Sequence, residues 1–133
     1  MKDLATLYRA AQFYAHAAHN LASGPTFFED HEYLGELYGA YESAYDDLIE
    51  RMIGLGVNVD ISAVNKAAVN SAFHHEAEST DECFAYLLDM EDEICDQIKV
   101  LVPKSTDGTQ NLLQGLADDS EKRQYKLGQR LKK

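Results

Sequence analysis

Proline is scarce in this 133-residue chain: only Pro25 and Pro103 occur, and both fall between segments of regular apolar spacing. Proline removes a backbone donor and clashes with the turn before it, so its scarcity leaves room for long uninterrupted helices. No apolar run approaches the ~20 residues that a membrane span needs. The opening MKDLATLYRA lacks the apolar stretch of a secretory leader. The expectation is a soluble, cytoplasmic protein with no membrane partner. Cysteine is scarce too. Cys83 and Cys95 share one helical pattern, in which the rise between them is ~18 Å, beyond disulfide reach. They read as packing residues, and free thiols suit a reducing compartment. Strand alternation, internal repeats and low-complexity tracts are also missing.

Positive charge is the other shortage: 12 Lys and Arg stand against 23 Asp and Glu, for a net charge of −11. Duplex binding is driven by cations that neutralise phosphates, so the charge argues strongly against a generic nucleic-acid binder. Half of the basic residues (Lys122, Arg123, Lys126, Arg130, Lys132 and Lys133) crowd into the last thirteen positions. They read as a cationic helix end that complements the macrodipole, with DNA contact the lesser alternative. The acidic body suits metal cations as partners.

What is present is ordinary globular composition, 45% hydrophobic and 26% charged, over a length that suits one domain spanning 1–133. Apolar residues recur at helical spacing through roughly 3–22 (Leu4, Leu7, Tyr8, Ala11, Tyr14, Ala15, Ala18). Ser23-Gly24-Pro25 ends that helix. Thr26-Phe27-Phe28-Glu29 reads as a capping box for a second helix reaching about Leu55, with Leu34, Leu37, Tyr38, Tyr41, Tyr45, Leu48, Ile49 and Met52 inward. Asp60 caps a short segment over 61–70. Ser79-Thr80-Asp81-Glu82 opens a helix that Pro103 closes, and Asp107-Gly108-Thr109-Gln110 opens the last, with Leu112, Leu113, Leu116, Tyr125 and Leu127 inward. The fold class is all-α: a four-helix bundle with a short extra helix in the crossover between the second and third long helices.

Four residues carry chemistry: His19, His31, Asp46 and Glu50. The Gly-Pro corner brings the last turn of the first helix beside the early turns of the second, so both imidazoles can face one site. Asp46 and Glu50 are i,i+4 and share a face. His31 and Asp46 lie ~22 Å apart along the second helix, whereas metal–ligand bonds are only ~2 Å. Around the axis, Asp46 is ~60° and Glu50 ~100° from His31, one common face. Ligands on one face but far apart along it fit two copies packed antiparallel about a dyad. Gly35 and Gly39 lie on that face too. Each costs a helix ~1 kcal/mol relative to alanine, and close approach of a partner helix supplies a reason. Mixed imidazole and carboxylate donors suit iron, manganese or zinc. Because Asp and Glu are abundant here, incidental surface residues remain the alternative.

At these residues the chain resembles a known family. His19 to Phe27 (HNLASGPTF), His31-Glu32, Asp46 to Arg51 (DDLIER) and Leu55-Gly56 are similar to the signature of the Dps family of ferritin-like mini-ferritins, H-x11-H-x14-D-x3-E, reproduced without a gap. Asp107-Gly108-Thr109 and Glu121-Lys122 with Tyr125 and Leu127 extend the likeness over nearly the whole chain. The resemblance implies a dodecameric hollow shell built from dimers, with ferroxidase centres at the dimer interfaces. His19, His31, Asp46 and Glu50 would be both iron ligands and catalytic residues. It further implies Fe(II) oxidation by hydrogen peroxide or dioxygen, ferric iron stored inside, and protection against oxidative stress. Asp107 and Asp118 would line iron-entry pores. Gly35 stands where the family carries an acidic ligand, so reduced activity is implied, with Glu32 on the ligand face, or Glu36, as the substitute. Asn20 and Tyr125 replace customary tryptophans. The lysine-rich extension that many members use for DNA does not precede the first helix.

Other residues read more plainly. His16 reads as a surface or supporting residue. His74, His75 and Glu78 read as polar crossover residues ahead of a ligand-like alternative, and Asp89, Glu91, Asp92, Glu93 and Asp96 as a solvated face, with an inward face that nucleates mineral as the alternative. Tyr14, Tyr38, Tyr41 and Tyr45 read as core and interface packing.

Overall fold

A computed structural model describes residues 1–74 and 76–133; His75 of the crossover lies outside them. Five helices follow one another: α1 Lys2–Leu21, α2 Phe27–Gly54, α3 Ile61–Ala72, α4 Thr80–Leu101 and α5 Asp107–Leu131, with a 3₁₀ turn at Val102–Lys104 that contains Pro103. Both prolines thus sit outside the long helices, where the missing donor is harmless. The expected four long helices and one short one are the observed ones, within a few residues.

The order in space follows from the connections. The corner after α1 is five residues long, so α2 turns back antiparallel along it: Tyr8 meets Tyr41 and His19 meets His31. A short connection likewise sets α5 antiparallel to α4, where Cys95 meets Ser120 and Glu91 meets Arg123. Between the two hairpins, the crossover through α3 returns the chain so that α4 runs parallel to α2, with Tyr33 near Phe84 and Tyr41 near Glu91. α3 lies across α1. It buries Val64, Ala68 and Ala72 and is tied by Asn65 to Arg9 and Tyr45.

The periodic apolar stripes form the core. Leu4, Tyr8, Leu34, Leu37, Tyr41, Leu48, Phe84, Leu87, Ile94, Leu113 and Leu127 are all essentially inaccessible to solvent. Each large apolar side chain removed from water contributes about 1.5–3 kcal/mol against the entropy of ordering. Tyr125 does not join them: it is 68% exposed. The physical reason is angular, since two residues of helix turn it ~160° away from the inward Leu127.

Capping matches the sequence at two of four sites: Asp60 accepts from the Ala63 amide and Ser79 from that of Glu82. The last helix is capped by Thr106, which accepts from the Thr109 amide, and the expected opener Asp107 is its first helical residue. Thr26 does not cap α2; its hydroxyl donates to Asp30 Oδ2 at 2.7 Å instead.

Candidate metal centre

Gly24 adopts φ +94° in the corner between α1 and α2, a left-handed conformation that glycine enters without penalty. This turns the chain within five residues and sets the last turn of α1 against the second turn of α2. There the rings of His19 and His31 stack, centroids 3.6 Å apart and planes 21° from parallel. Each ring also bonds the other residue's backbone: His19 Nδ1 lies 2.6 Å from the His31 carbonyl, and His31 Nδ1 lies 2.9 Å from the His19 carbonyl. A carbonyl oxygen only accepts, so Nδ1 must carry the proton in both rings. In the neutral imidazole this leaves the lone pair on Nε2. Such a backbone bond is how metal-ligating histidines are commonly oriented.

Neighbours complete the packing. Phe27 stacks on His31 at 4.9 Å, and Tyr38 sets its ring edge-on to His19 at 5.3 Å. Gly35 supplies the floor. A Cβ there would lie 3.3 Å from His19 Cε1, so a side chain would press the imidazole off the helix. The sequence assigns both Gly35 and Gly39 to the approach of a partner helix; Gly35 has a reason within the chain. Gly39, by contrast, has nothing within 4 Å of a Cβ and is exposed.

Asp46 and Glu50 are exposed on α2, one turn apart, and neither makes a hydrogen bond or ion pair with the described residues. Glu50 borders an open groove of about 740 Å³ with Asp47, Arg51, Thr106 and Gly108. Glu32 and Glu36 are exposed as well. Among the described residues of one chain, no three His, Cys, Asp or Glu side chains converge on a common point. The structure therefore brings His19 and His31 together and leaves Asp46 and Glu50 apart from them within one chain. His16 is exposed and stacks on Tyr38 at 4.1 Å, 6.2 Å from His19. His74 and Glu78 are exposed, and His75 lies outside the described residues.

The bundle interior holds a buried acid. Glu91 does not share the solvated face expected for its acidic run: it is 0% exposed, while Asp89, Asp92, Glu93 and Asp96 are outside. Tyr41 and Ser120 donate hydroxyls to it at 2.6 Å each, and Arg123 donates Nε at 2.5 Å and Nη2 at 3.2 Å. Burial works against the Arg123 charge, but the bonds and field of Glu91 outweigh it and hold the guanidinium protonated more firmly than usual. The signal was available: Leu87, Glu91, Ile94 and Ile98 fall at spacings of four, three and four on one stripe.

The family model of the ferritin-like domain matches residues 1–133, the full length of the chain. The chain belongs to the ferritin-like domain family. A comparison with curated proteins finds no significant match. Ferritin-like bundles characteristically hold metal inside, between a Glu from each of two helices and a Glu-x-x-His pair from each of the others. This ferritin-like chain has no Glu-x-x-His in its sequence. Where the inner carboxylate stands, an arginine already neutralises it. No helix is long and apolar enough to cross a membrane among the described residues.

Proposed function

We propose that this ferritin-like chain is a mini-ferritin of the Dps type, which oxidises Fe(II) between paired subunits and stores the ferric product in a hollow homo-oligomeric shell. The single observation that carries the reading is the reciprocal histidine pair. Two imidazoles are stacked, each has Nδ1 tied to the other's backbone, and Nε2 is the only nitrogen left on either ring to bind a metal. Rings oriented in this way suit metal ligation better than core packing, because core packing needs no control of the tautomer.

The remaining ligands would be Asp46 and Glu50 of a second copy packed antiparallel along α2. Their exposure and lack of partners within the chain support this, as does the bare backbone at Gly39. Iron is substrate and cargo here. Two Fe(II) ions each lose one electron, and one hydrogen peroxide accepts both, its O–O bond breaking as two protons from solvent complete two waters; dioxygen is the alternative oxidant. With Gly35 in place of an acidic ligand, the second iron leans on Glu32, Glu36 or water, and turnover is reduced accordingly. Assembly into a dodecamer, a cytoplasmic setting and protection from peroxide stress belong to the same reading. DNA compaction is disfavoured further because Arg123 and Arg130 are engaged within the fold and Lys122 pairs with Asp118.

The test is Asp46→Ala with Glu50→Ala. Rapid Fe(II) oxidation after peroxide addition should disappear while helicity and assembly size persist. Oxidation at the parent rate in that double variant would refute the site. An anaerobic titration of the parent protein without saturable Fe(II) binding would refute the metal function altogether.

A further inference from the structure

The first turn of α2 leads directly into His31, yet no side chain caps its amides, because the Thr26 hydroxyl is turned to Asp30. Asp30 itself is only 3% exposed. It is gripped from the last turn of α5, a hundred residues away: Arg130 donates Nε to Oδ1 at 3.0 Å and Nη2 to Oδ2 at 3.0 Å. The same guanidinium reaches Asp81 in the first turn of α4 through Nη1 at 2.9 Å and lies 5.2 Å from the ring centre of Phe84. One side chain thus gathers the ends of three helices at the histidine corner.

Stability alone is a poor reason for this arrangement. Burying a carboxylate costs much of what its pairing returns, and apolar residues of similar size often do as well. What the fork supplies is geometry, since two parallel bonds from a planar guanidinium fix both position and orientation. The residue after Asp30 is His31, whose carbonyl and ring make the two reciprocal bonds with His19. The Phe27 amide bonds the Gly24 carbonyl at 3.1 Å and the Asp30 amide the Thr26 carbonyl at 3.0 Å, but no side chain caps the turn, and helix ends without a cap fray readily. Fraying of this turn would break both bonds and release both imidazoles.

We propose that Arg130 is a positioning residue for the metal corner: through its fork onto Asp30 it fixes the first turn of α2, and with it the register of His31 against His19. The inference rests on the reading of those imidazoles as metal ligands. Outer contacts of this kind are commonly worth about 10–100-fold in metal affinity.

The experiment uses the full chain, anaerobic, with Co(II) alone as the probe for Fe(II), read by its d–d absorption. Arg130→Gln should weaken Co(II) binding at least tenfold and alter the band envelope of the residual complex, with helicity and assembly size retained. Arg130→Lys keeps the charge without the fork and should stay weak; it also carries the test if the glutamine variant fails to assemble. Asp30→Asn combined with Arg130→Gln restores an uncharged amide pair and should recover part of the loss. Asp81→Asn removes only the α4 contact and should bind as the parent does. Parent-like affinity and spectrum in both Arg130 variants would overturn the positioning role. If His19→Ala with His31→Ala binds Co(II) as tightly as the parent, the metal reading itself fails, and this inference with it.

Discussion

Tyr41 donates its hydroxyl to Glu91 at 2.6 Å in the middle of the bundle, joining α2 to α4 at a point that solvent does not reach. Arg123 neutralises the same carboxylate from α5, so one acidic side chain ties together three helices. With Ser120 also donating to it, the Glu91 carboxylate is fully engaged within the fold and acts as a structural tie between the helices.

Removing one member should therefore be costly. Glu91→Ala leaves the Arg123 guanidinium buried without its counter-charge, a loss of about 3–5 kcal/mol. Tyr41→Phe removes one bond to a charged acceptor and should cost about 1.5–3 kcal/mol. Replacing the pair together, with Glu91→Met and Arg123→Leu, should lie much closer to the parent. Urea unfolding followed by circular dichroism orders the three, and a double variant less stable than Glu91→Ala would contradict the account.

Tyrosine burial gives the fold a limit on the alkaline side. Burial is the main cause that raises Tyr33 from its ordinary 10.0 to about 12, pushes Tyr8 and Tyr14 higher still, and holds Tyr41 well above the ordinary value. The folded state holds these protons at pH values where the unfolded chain has released them. Their contribution is complete below pH 10 and declines as pH rises above it. Phenolate absorbance should accordingly develop in two stages, with the later one coinciding with loss of helicity. A single titration at the ordinary value, with helicity intact, would show that these hydroxyls are not enclosed.

Gly35 and Gly39 separate two effects that sequence alone merges. Either glycine changed to alanine gains about 1 kcal/mol of helix propensity. At position 35 the new methyl lies against His19, so metal affinity should fall and the gain be partly lost to the clash. At position 39 there is open space, so the isolated subunit should be stabilised while pairing weakens, if α2 meets its copy there. Thermal melting and sedimentation measured side by side distinguish the cases. Gly35→Ala with undiminished metal affinity would mean that the imidazole does not need the bare backbone.

Much of this was legible because helices announce themselves locally. Stripe periodicity, one Gly-Pro corner, Pro103 and the caps of the later helices placed the five helices, and the eleven-residue interval between His19 and His31 placed two imidazoles on either side of one corner. The failures were of partner choice. Thr26 had the sequence of a cap but found Asp30, whose own partner, Arg130, lies at the far end of the chain. Glu91 sat in an acidic run whose other members face water, and only its angle on α4 set it apart. Gly35 read from the sequence as a place of approach for a partner helix, and only the folded corner shows His19 3.3 Å from where its Cβ would lie.

The proposed two-chain site makes a last prediction that no single-chain site can imitate. An isologous twofold pair of the proposed kind would place the histidines of each subunit against the carboxylates of the other. Consider His19→Ala with His31→Ala in one preparation and Asp46→Ala with Glu50→Ala in a second. Neither should oxidise Fe(II) rapidly. Unfolded together and reassembled, they form mixed pairs in which one site has lost all four ligands and the other has kept all four. About half of the sites in every mixed pair would then be intact, and rapid oxidation should return without any chain having been repaired. If the ligands belonged to one chain, no mixture would ever contain a complete set, and the reassembled protein would remain as slow as its parts.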